Sequence, residues 1–130
     1  MHFATRRTLL VCCLALVVAT SIHVEIHAQV QPMPELRYVV VHKPGPSWKP
    51  GVSAFEQPGL QAHVEHFRRL LQEGKLVMGG PFMDGASGGM MVPEAGVSEA
   101  EITNFASEDP AVKAGLLVFE VRPWLPALRK

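Results

Sequence analysis

A short run of β-branched and aromatic residues sets the strongest constraint on how this chain folds. Residues 36–42, LRYVVVH, predict a β-strand. Successive side chains of a strand point to opposite faces of the sheet, so three consecutive valines place apolar side chains on both faces. We therefore expect this strand to be buried on both sides, with helices on one face and a further cover on the other.

The next predicted elements are a helix and two strands. Residues 60–73 predict an amphipathic helix that ends at Gly74. Residues 75–82 and 89–94 predict strands, and an Asp-Gly pair between them favours a tight turn. The predicted buried stripe of the helix consists of Leu60, Val64, Phe67 and Leu71, with Leu70 beside them.

A second helix and a last strand complete the pattern. Ser98 is the predicted N-cap, and Glu101 three residues later completes a capping box. Asp109 is expected to cap a further short helical piece that begins at Pro110, and residues 116–124 predict the last strand. The resulting order is that of an α+β, ferredoxin-like βαββαβ domain. Because the helices cover one face of the sheet, we expect the other face to pair in a homodimer that encloses a cavity or barrel.

The segment between the first strand and the first helix, residues 43–58, is long for a loop and rich in proline. Its prolines exclude a helix there. Loops of this length in compact domains are usually functional or mobile. Two interpretations stay open: a flap over a ligand site that packs through Trp48 and Phe55, or a surface loop anchored by Trp48.

The first 28 residues have the pattern of an export signal, and we do not expect them to belong to the domain. Two arginines precede an apolar run over residues 9–19, which is too short to span a membrane. Cleavage after Ala28 leaves residues 29–35 as a linker, cleavage nearer Ala19 is the alternative, and residues 126–130 are expected to form a C-terminal tail. We therefore expect an exported protein, periplasmic or extracellular, with no membrane attachment after cleavage. The alternative is an uncleaved N-terminal anchor.

Charge and motif content exclude several classes of function. Twelve Lys plus Arg residues balance twelve Asp plus Glu residues, so the charge indicates no nucleic-acid partner. Cys12 and Cys13 both lie in the export signal, which leaves the mature sequence without a thiol for a disulfide, a nucleophile or a metal. The glycine-rich residues 79–89 lack the Gly-Lys-Ser/Thr ending of a phosphate-binding loop. Residues 85–89, GASGG, fit the Gly-x-Ser-x-Gly pattern, but they join two predicted strands and do not lead from a strand into a helix, as the nucleophile elbow of a serine hydrolase does.

The histidines and aspartates outside the export signal are His42, His63, His66, Asp84 and Asp109. Helical rotation places His63 on the edge of the buried stripe and His66 towards solvent. Their different directions, and the lack of a third ligand nearby, argue against a shared metal. Asp84 belongs to the predicted turn, whereas Asp109 can cap its helix and also reach a neighbouring helix. A carboxylate that accepts the second N–H of a histidine fixes its tautomer, so Asp109 is the candidate partner of His63.

Three motifs together resemble the YciI-related (YCII domain) family. They are HVEHFRRLLQEGKLVMGGPFMD, GGMMV and SEDPAVKAGLLVFEVRPW, and the resemblance covers residues 36–125. It implies a dimeric α+β barrel of ferredoxin-like subunits. It also implies an active site built on a histidine and an aspartate, which correspond to His63 and Asp109 in this sequence. At least one similar protein eliminates hydrogen chloride from a chlorinated lactone.

The candidate pair supports three hypotheses about function. In the first, the protein is an acid–base enzyme without cofactor or metal, in which His63 is the general base or acid and Asp109 orients it. Its reaction would be proton abstraction, elimination or hydrolysis on a small organic molecule. In the second, it is a non-catalytic dimeric module that binds a small ligand under the 43–58 loop. In the third, the pair only stabilises the fold. We expect the substrate or ligand cavity to lie between helix and sheet near the dimer interface. The residues expected to line it are Met78, Met90 and Met91.

Overall fold

The computed structural model describes residues 35–128, so the predicted export signal at residues 1–28 and nearly all of the predicted linker lie outside the described residues. The helices and strands in chain order are β1 (Arg37–Pro44), α1 (Leu60–Gln72), β2 (Leu76–Pro81), β3 (Gly89–Pro93), α2 (Glu99–Ser107), α3 (Pro110–Lys113) and β4 (Leu117–Trp124). The predicted α+β order is confirmed. In this part of the chain, no helix has the length and apolar character that crossing a membrane requires.

The four strands form one antiparallel sheet in the order β2-β3-β1-β4. The first and third strands of the chain are therefore central, as in a ferredoxin-like domain. Val40 of β1 lies opposite Met91 of β3 and Val121 of β4, which places these three side chains on one face. Pro123 lies in β4, an edge strand, where a missing backbone N–H is tolerated.

The main core lies between the helices and one face of the sheet. Its buried members are Val40, Phe67, Leu70, Leu76, Met91, Val97, Ile102 and Ala106. The opposite face of the sheet carries Val39 and Val92, which are buried, beside Val118 and Trp124, which are nearly half exposed. Val39 and Val40 are both buried, so the prediction that β1 is buried on both faces is confirmed at these two residues. The expected further cover over the face away from the helices stays a prediction.

The predicted helix boundaries correspond to specific hydrogen bonds and backbone angles. Gly74, which follows α1, has a φ of 68°, a left-handed conformation that glycine adopts without steric cost. The Ser98 hydroxyl accepts a hydrogen bond from the Glu101 N–H at 3.2 Å, as an N-cap does. The Glu101 carboxylate, which the capping box assigns to the Ser98 N–H, instead forms an ion pair with Lys75 at 2.9 Å. It therefore connects α2 to the residue before β2.

The buried face of α1 differs from the predicted stripe. Val64 and Leu71 were expected in the core but are 38% and 52% exposed. The buried residues of α1 are His63, His66, Phe67 and Leu70. Because a hydropathy pattern counts histidine as polar, it places the centre of the predicted buried stripe too far from His63 and His66. They are buried nevertheless, because each has a hydrogen-bond partner inside the domain.

The 43–58 loop is anchored to the domain at several points. Gln57 is buried, and its side-chain amide donates to the Lys49 carbonyl at 2.8 Å and accepts from the Lys49 N–H at 3.0 Å. Trp48 packs beside Leu116 in a second, smaller core cluster. These contacts favour the anchored-loop interpretation over the flap. The expectation that the loop contains no helix is wrong at Ala54–Glu56, which form a single 3-10 turn.

Candidate functional site

His63 and Asp109 form a buried hydrogen-bonded pair. His63 lies in the first half of α1, and Asp109 is the residue that caps α3, 46 positions further along the chain. The His63 Nδ1 and Asp109 Oδ2 atoms are 2.6 Å apart. The two residues are 7% and 0% exposed, respectively. The contact predicted between these two side chains is confirmed; the catalytic roles that the family resemblance implies stay a prediction.

Asp109 is fixed by the backbone as well as by His63. Its Oδ1 atom accepts a hydrogen bond from the Ala111 N–H at 2.9 Å, and Pro110 begins the short helix. Burial tends to raise the pKa of the Asp109 carboxyl, but the hydrogen bond and charge of His63, together with the Ala111 N–H, outweigh burial and hold the pKa below its usual value. Asp109 is therefore a carboxylate near neutral pH.

The charge state of Asp109 determines the tautomer of His63. A carboxylate only accepts hydrogen bonds, so the proton between the two side chains belongs to His63 Nδ1. The Nε2 atom of the neutral ring then carries the lone pair. A histidine held in this way is oriented by its carboxylate partner and keeps a lone pair on Nε2, which is the arrangement that a general base requires.

A third histidine, His42 of β1, lies against this pair and was not predicted as a site residue. Its ring centroid is 4.7 Å from that of His63, in an edge-to-face contact, and it is 1% exposed. None of the described residues hydrogen-bonds to either ring nitrogen. Burial, followed by the neighbouring His63, lowers the pKa of His42 to about 4, so the ring is neutral at pH 7. Its alternation with Tyr38 and Val40 along β1 is the sequence signal that places it on the helix-covered face.

The prediction that His66 faces solvent is wrong. His66 is 4% exposed, and its ring packs on Phe105 of α2 with centroids 4.1 Å apart. Its Nε2 N–H donates to the Phe105 carbonyl at 2.7 Å, and its Nδ1 accepts from the Arg69 guanidinium. Because α2 covers this side of α1, the helical rotation alone could not identify the outward direction. Both ring nitrogens are engaged, which leaves His66 with a structural role.

A cavity of about 460 Å³ opens beside His63, between α1, β2 and the 43–58 loop. Its apolar wall includes Trp48, Phe55, Leu60, Val64, Leu71, Met78 and Met91. His42 and His63 also line it, whereas Asp109 lies behind His63 and outside the lining. The predicted lining by Met78 and Met91 is confirmed. The prediction for Met90 is wrong, because Met90 pairs with Val41 and points to the opposite face of the sheet.

His42, His63 and Asp109 also have the residue types of a metal site. One possible ligand atom from each lies within 4.8 Å of the others. Both Asp109 oxygens and His63 Nδ1 are already engaged in hydrogen bonds, however. The nitrogens left for a metal belong to His42 and His63 alone, whereas a catalytic zinc is held by three protein ligands. The arrangement suits proton transfer better than metal binding.

The family model of the YCII-related domain matches residues 36–125. This range contains His42, His63 and Asp109, and every strand and helix from β1 to β4. No curated protein and no solved structure matches the chain significantly. Since the match extends over well more than half of the sequence, and the strand order agrees with the resemblance, the chain belongs to the YCII-related domain family.

Proposed function

We propose that this domain is a small enzyme that moves protons without a cofactor, with His63 as the general base or acid and Asp109 as the group that orients it. The observation that carries the proposal is the 2.6 Å contact between His63 Nδ1 and Asp109 Oδ2, on a histidine that lines a largely apolar cavity. A base and its orienting group must lie within hydrogen-bonding reach, and this pair does. The substrate is a small organic molecule that fits the cavity.

The chemistry begins at His63 Nε2. Its lone pair takes a proton from a carbon or from water, and the imidazolium that forms lies next to the negative charge of Asp109. Because the pair is buried, this charge interaction is stronger than it would be in water. The proton then returns to the product or to a leaving group. The same arrangement serves proton abstraction, elimination and hydrolysis, which differ in where the proton goes.

The test is turnover on a panel of lactones and esters, with proton abstraction followed as deuterium uptake from D2O. We expect His63→Gln and Asp109→Asn to lower the rate by about 10²- to 10⁴-fold, the usual contribution of a positioned acid–base group. His66→Gln is the matched control, since His66 is buried on the same helix but does not line the cavity. Unchanged turnover in a folded His63→Gln variant would contradict the proposal.

A second candidate function is binding without catalysis. The observation that favours it is the apolar character of the cavity wall, to which Trp48 and Phe55 of the 43–58 loop contribute. This alternative predicts saturable ligand binding that survives His63→Gln and weakens in Trp48→Ala. If the pair only stabilises the fold, His63→Leu lowers the free energy of unfolding because it leaves the buried Asp109 carboxylate without this partner, and both activity and binding are absent.

We further propose that the domain works outside the cytoplasm as a homodimer. Export is supported by the two arginines and the apolar run within residues 1–28. Pairing is supported by Val118 and Trp124, which are 45% and 44% exposed on the face of the sheet away from the helices. Mass spectrometry of the protein recovered from the host's periplasm or medium tests cleavage. Sedimentation of the native protein and of Val118→Asp tests the dimer, which we expect the variant to lose.

A further inference from the structure

His42 is the buried polar group that the proposed proton transfer leaves without a role. Its side chain is 1% exposed, and neither ring nitrogen has a hydrogen-bond partner among residues 35–128. Buried polar groups in folded proteins are nearly always hydrogen-bonded, because an unpaired one forfeits its hydrogen bonds to water. An imidazole packed in this way between Phe67 and Phe119 therefore needs an explanation.

The position of His42 provides one. It lines the same cavity as His63, and the two ring centroids are 4.7 Å apart. Two groups so close can contact neighbouring atoms of one small molecule. A neutral imidazole has one N–H donor and one lone pair. Both ring nitrogens of His42 are buried, so His42 donates a hydrogen bond to a ligand when its ring turns towards the cavity that it lines, whose other walls are mostly apolar.

The charges around this end of the cavity select the kind of atom that His42 contacts. The Asp109 carboxylate lies directly behind His63, and a second anion placed near it would be repelled. The cationic group in the lining, Arg68, is half exposed and pairs with Glu65 at 2.7 Å. The polar atom that fits beside His42 is therefore an uncharged oxygen.

We propose that the N–H of His42 donates a hydrogen bond to the carbonyl oxygen of the substrate. The molecules that the site takes are then neutral carbonyl compounds with an apolar body, such as lactones, esters or ketones. The proton that His63 removes is on the carbon next to that carbonyl. This inference rests on the proposed proton transfer at His63 and specifies its substrate class.

The step is balanced without any further reactant. His63 Nε2 takes the proton, the C–H electron pair forms a new C=C bond, and the carbonyl π pair moves to the oxygen. The hydrogen bond from His42 strengthens as negative charge develops on that oxygen, which lowers the barrier more than it strengthens substrate binding. The proton on His63 Nε2 then returns to carbon, either to the same atom or to one conjugated with it.

The test uses two probes of nearly equal shape, γ-phenyl-γ-butyrolactone and 2-phenyltetrahydrofuran, which differ in the carbonyl group. We expect the native protein to bind the lactone about tenfold more tightly or better, since a site built around a buried donor discriminates against a ligand that leaves it unpaired. His42→Phe keeps the aromatic packing and removes the donor, so the two affinities should become equal within about twofold. His42→Asn keeps an N–H donor and should recover part of the preference.

Further readouts separate this inference from the proposed function. The His42 ring in ¹⁵N-histidine-labelled native protein should show a hydrogen-bond shift with the lactone and none with the ether, which tests the contact even if a variant fails to fold. In the His63→Gln variant, deuterium exchange next to the lactone carbonyl should be lost while the preference for the lactone persists. If exchange persists in that variant, the base assignment fails and the His42 contact stands. Equal binding of both probes by the native protein, or a preference that survives His42→Phe, overturns the His42 assignment.

Discussion

Acidification should destabilise this domain through His42. The folded-state pKa of His42 is about 4, whereas the ordinary value is 6.5. Between these two pH values the unfolded chain binds a proton at this residue and the folded chain does not, so the free energy of unfolding falls as the pH falls. The full difference of about 2.5 in pKa corresponds to about 3.4 kcal/mol, and roughly 2.5 kcal/mol of it develops between pH 7 and pH 4.5. The ring is buried, so solvent does not screen this effect.

His42→Phe isolates this contribution from those of the other ionisable groups that face the ring. These are His63 and His66 from α1 and Asp109 at the start of α3. Removal of an unpaired buried imidazole should stabilise the variant by about 1–3 kcal/mol at pH 7. The difference in free energy of unfolding between the variant and the native protein should then increase by about 2.5 kcal/mol from pH 7 to pH 4.5.

Urea unfolding of both proteins at pH 7, 6, 5 and 4.5 gives the two free energies directly. Measurements stay above pH 4 because the Asp109 carboxylate, whose folded pKa lies below its ordinary 3.8, contributes stability that is lost only as the pH falls further. A difference in stability between the two proteins that stays constant within about 0.5 kcal/mol over this range would refute the reasoning, because it would mean that His42 titrates alike in the folded and unfolded chains.

Other perturbations separate the roles of neighbouring residues. Asp109→Asn retains the capping oxygen but not the charge, so deuterium exchange should fall about a hundredfold or more while thermal unfolding shows that α3 is kept. His66→Leu should lower the free energy of unfolding by about 1–3 kcal/mol, measured in urea, and leave exchange unchanged, because it removes the partners of the Phe105 carbonyl and the Arg69 guanidinium. Gln57→Ala removes the side-chain bonds that close the 43–58 loop, so limited proteolysis within this loop should accelerate, and a rate equal to that of the native protein would contradict the anchoring role.

Much of the fold was predictable because local signals and long-range packing agree. The order of elements follows from hydrophobic periodicity, and the Ser98 and Asp109 caps form as expected. The residues alone made His63 and Asp109 a candidate pair, since a capping carboxylate leaves one oxygen for a neighbouring element. The family resemblance pointed to the same two residues.

The errors at His66 and His42 share a physical cause, which is that a helical or strand pattern contains no information about what covers each face. Helical rotation assigned His66 to solvent, yet α2 lies over it and its ring is buried on Phe105. His42 was left unassigned because a lone histidine at the end of an apolar strand carries no partner in the sequence. Only the packing of α1 onto β1 brings it within 4.7 Å of His63.

Comparison of the three buried histidines suggests what distinguishes a structural imidazole from a chemical one. Burial does not, since all three are less than a tenth exposed. What distinguishes them is the number of ring nitrogens without a hydrogen-bond partner. Both nitrogens of His66 are hydrogen-bonded within the domain, and one nitrogen of His63 is bonded to Asp109. Neither nitrogen of His42 has a partner among the described residues. An oriented base next to an unsatisfied donor, both lining one apolar cavity, lowers stability unless a ligand completes the hydrogen bonds. That cost is the strongest physical argument that the cavity is a ligand site.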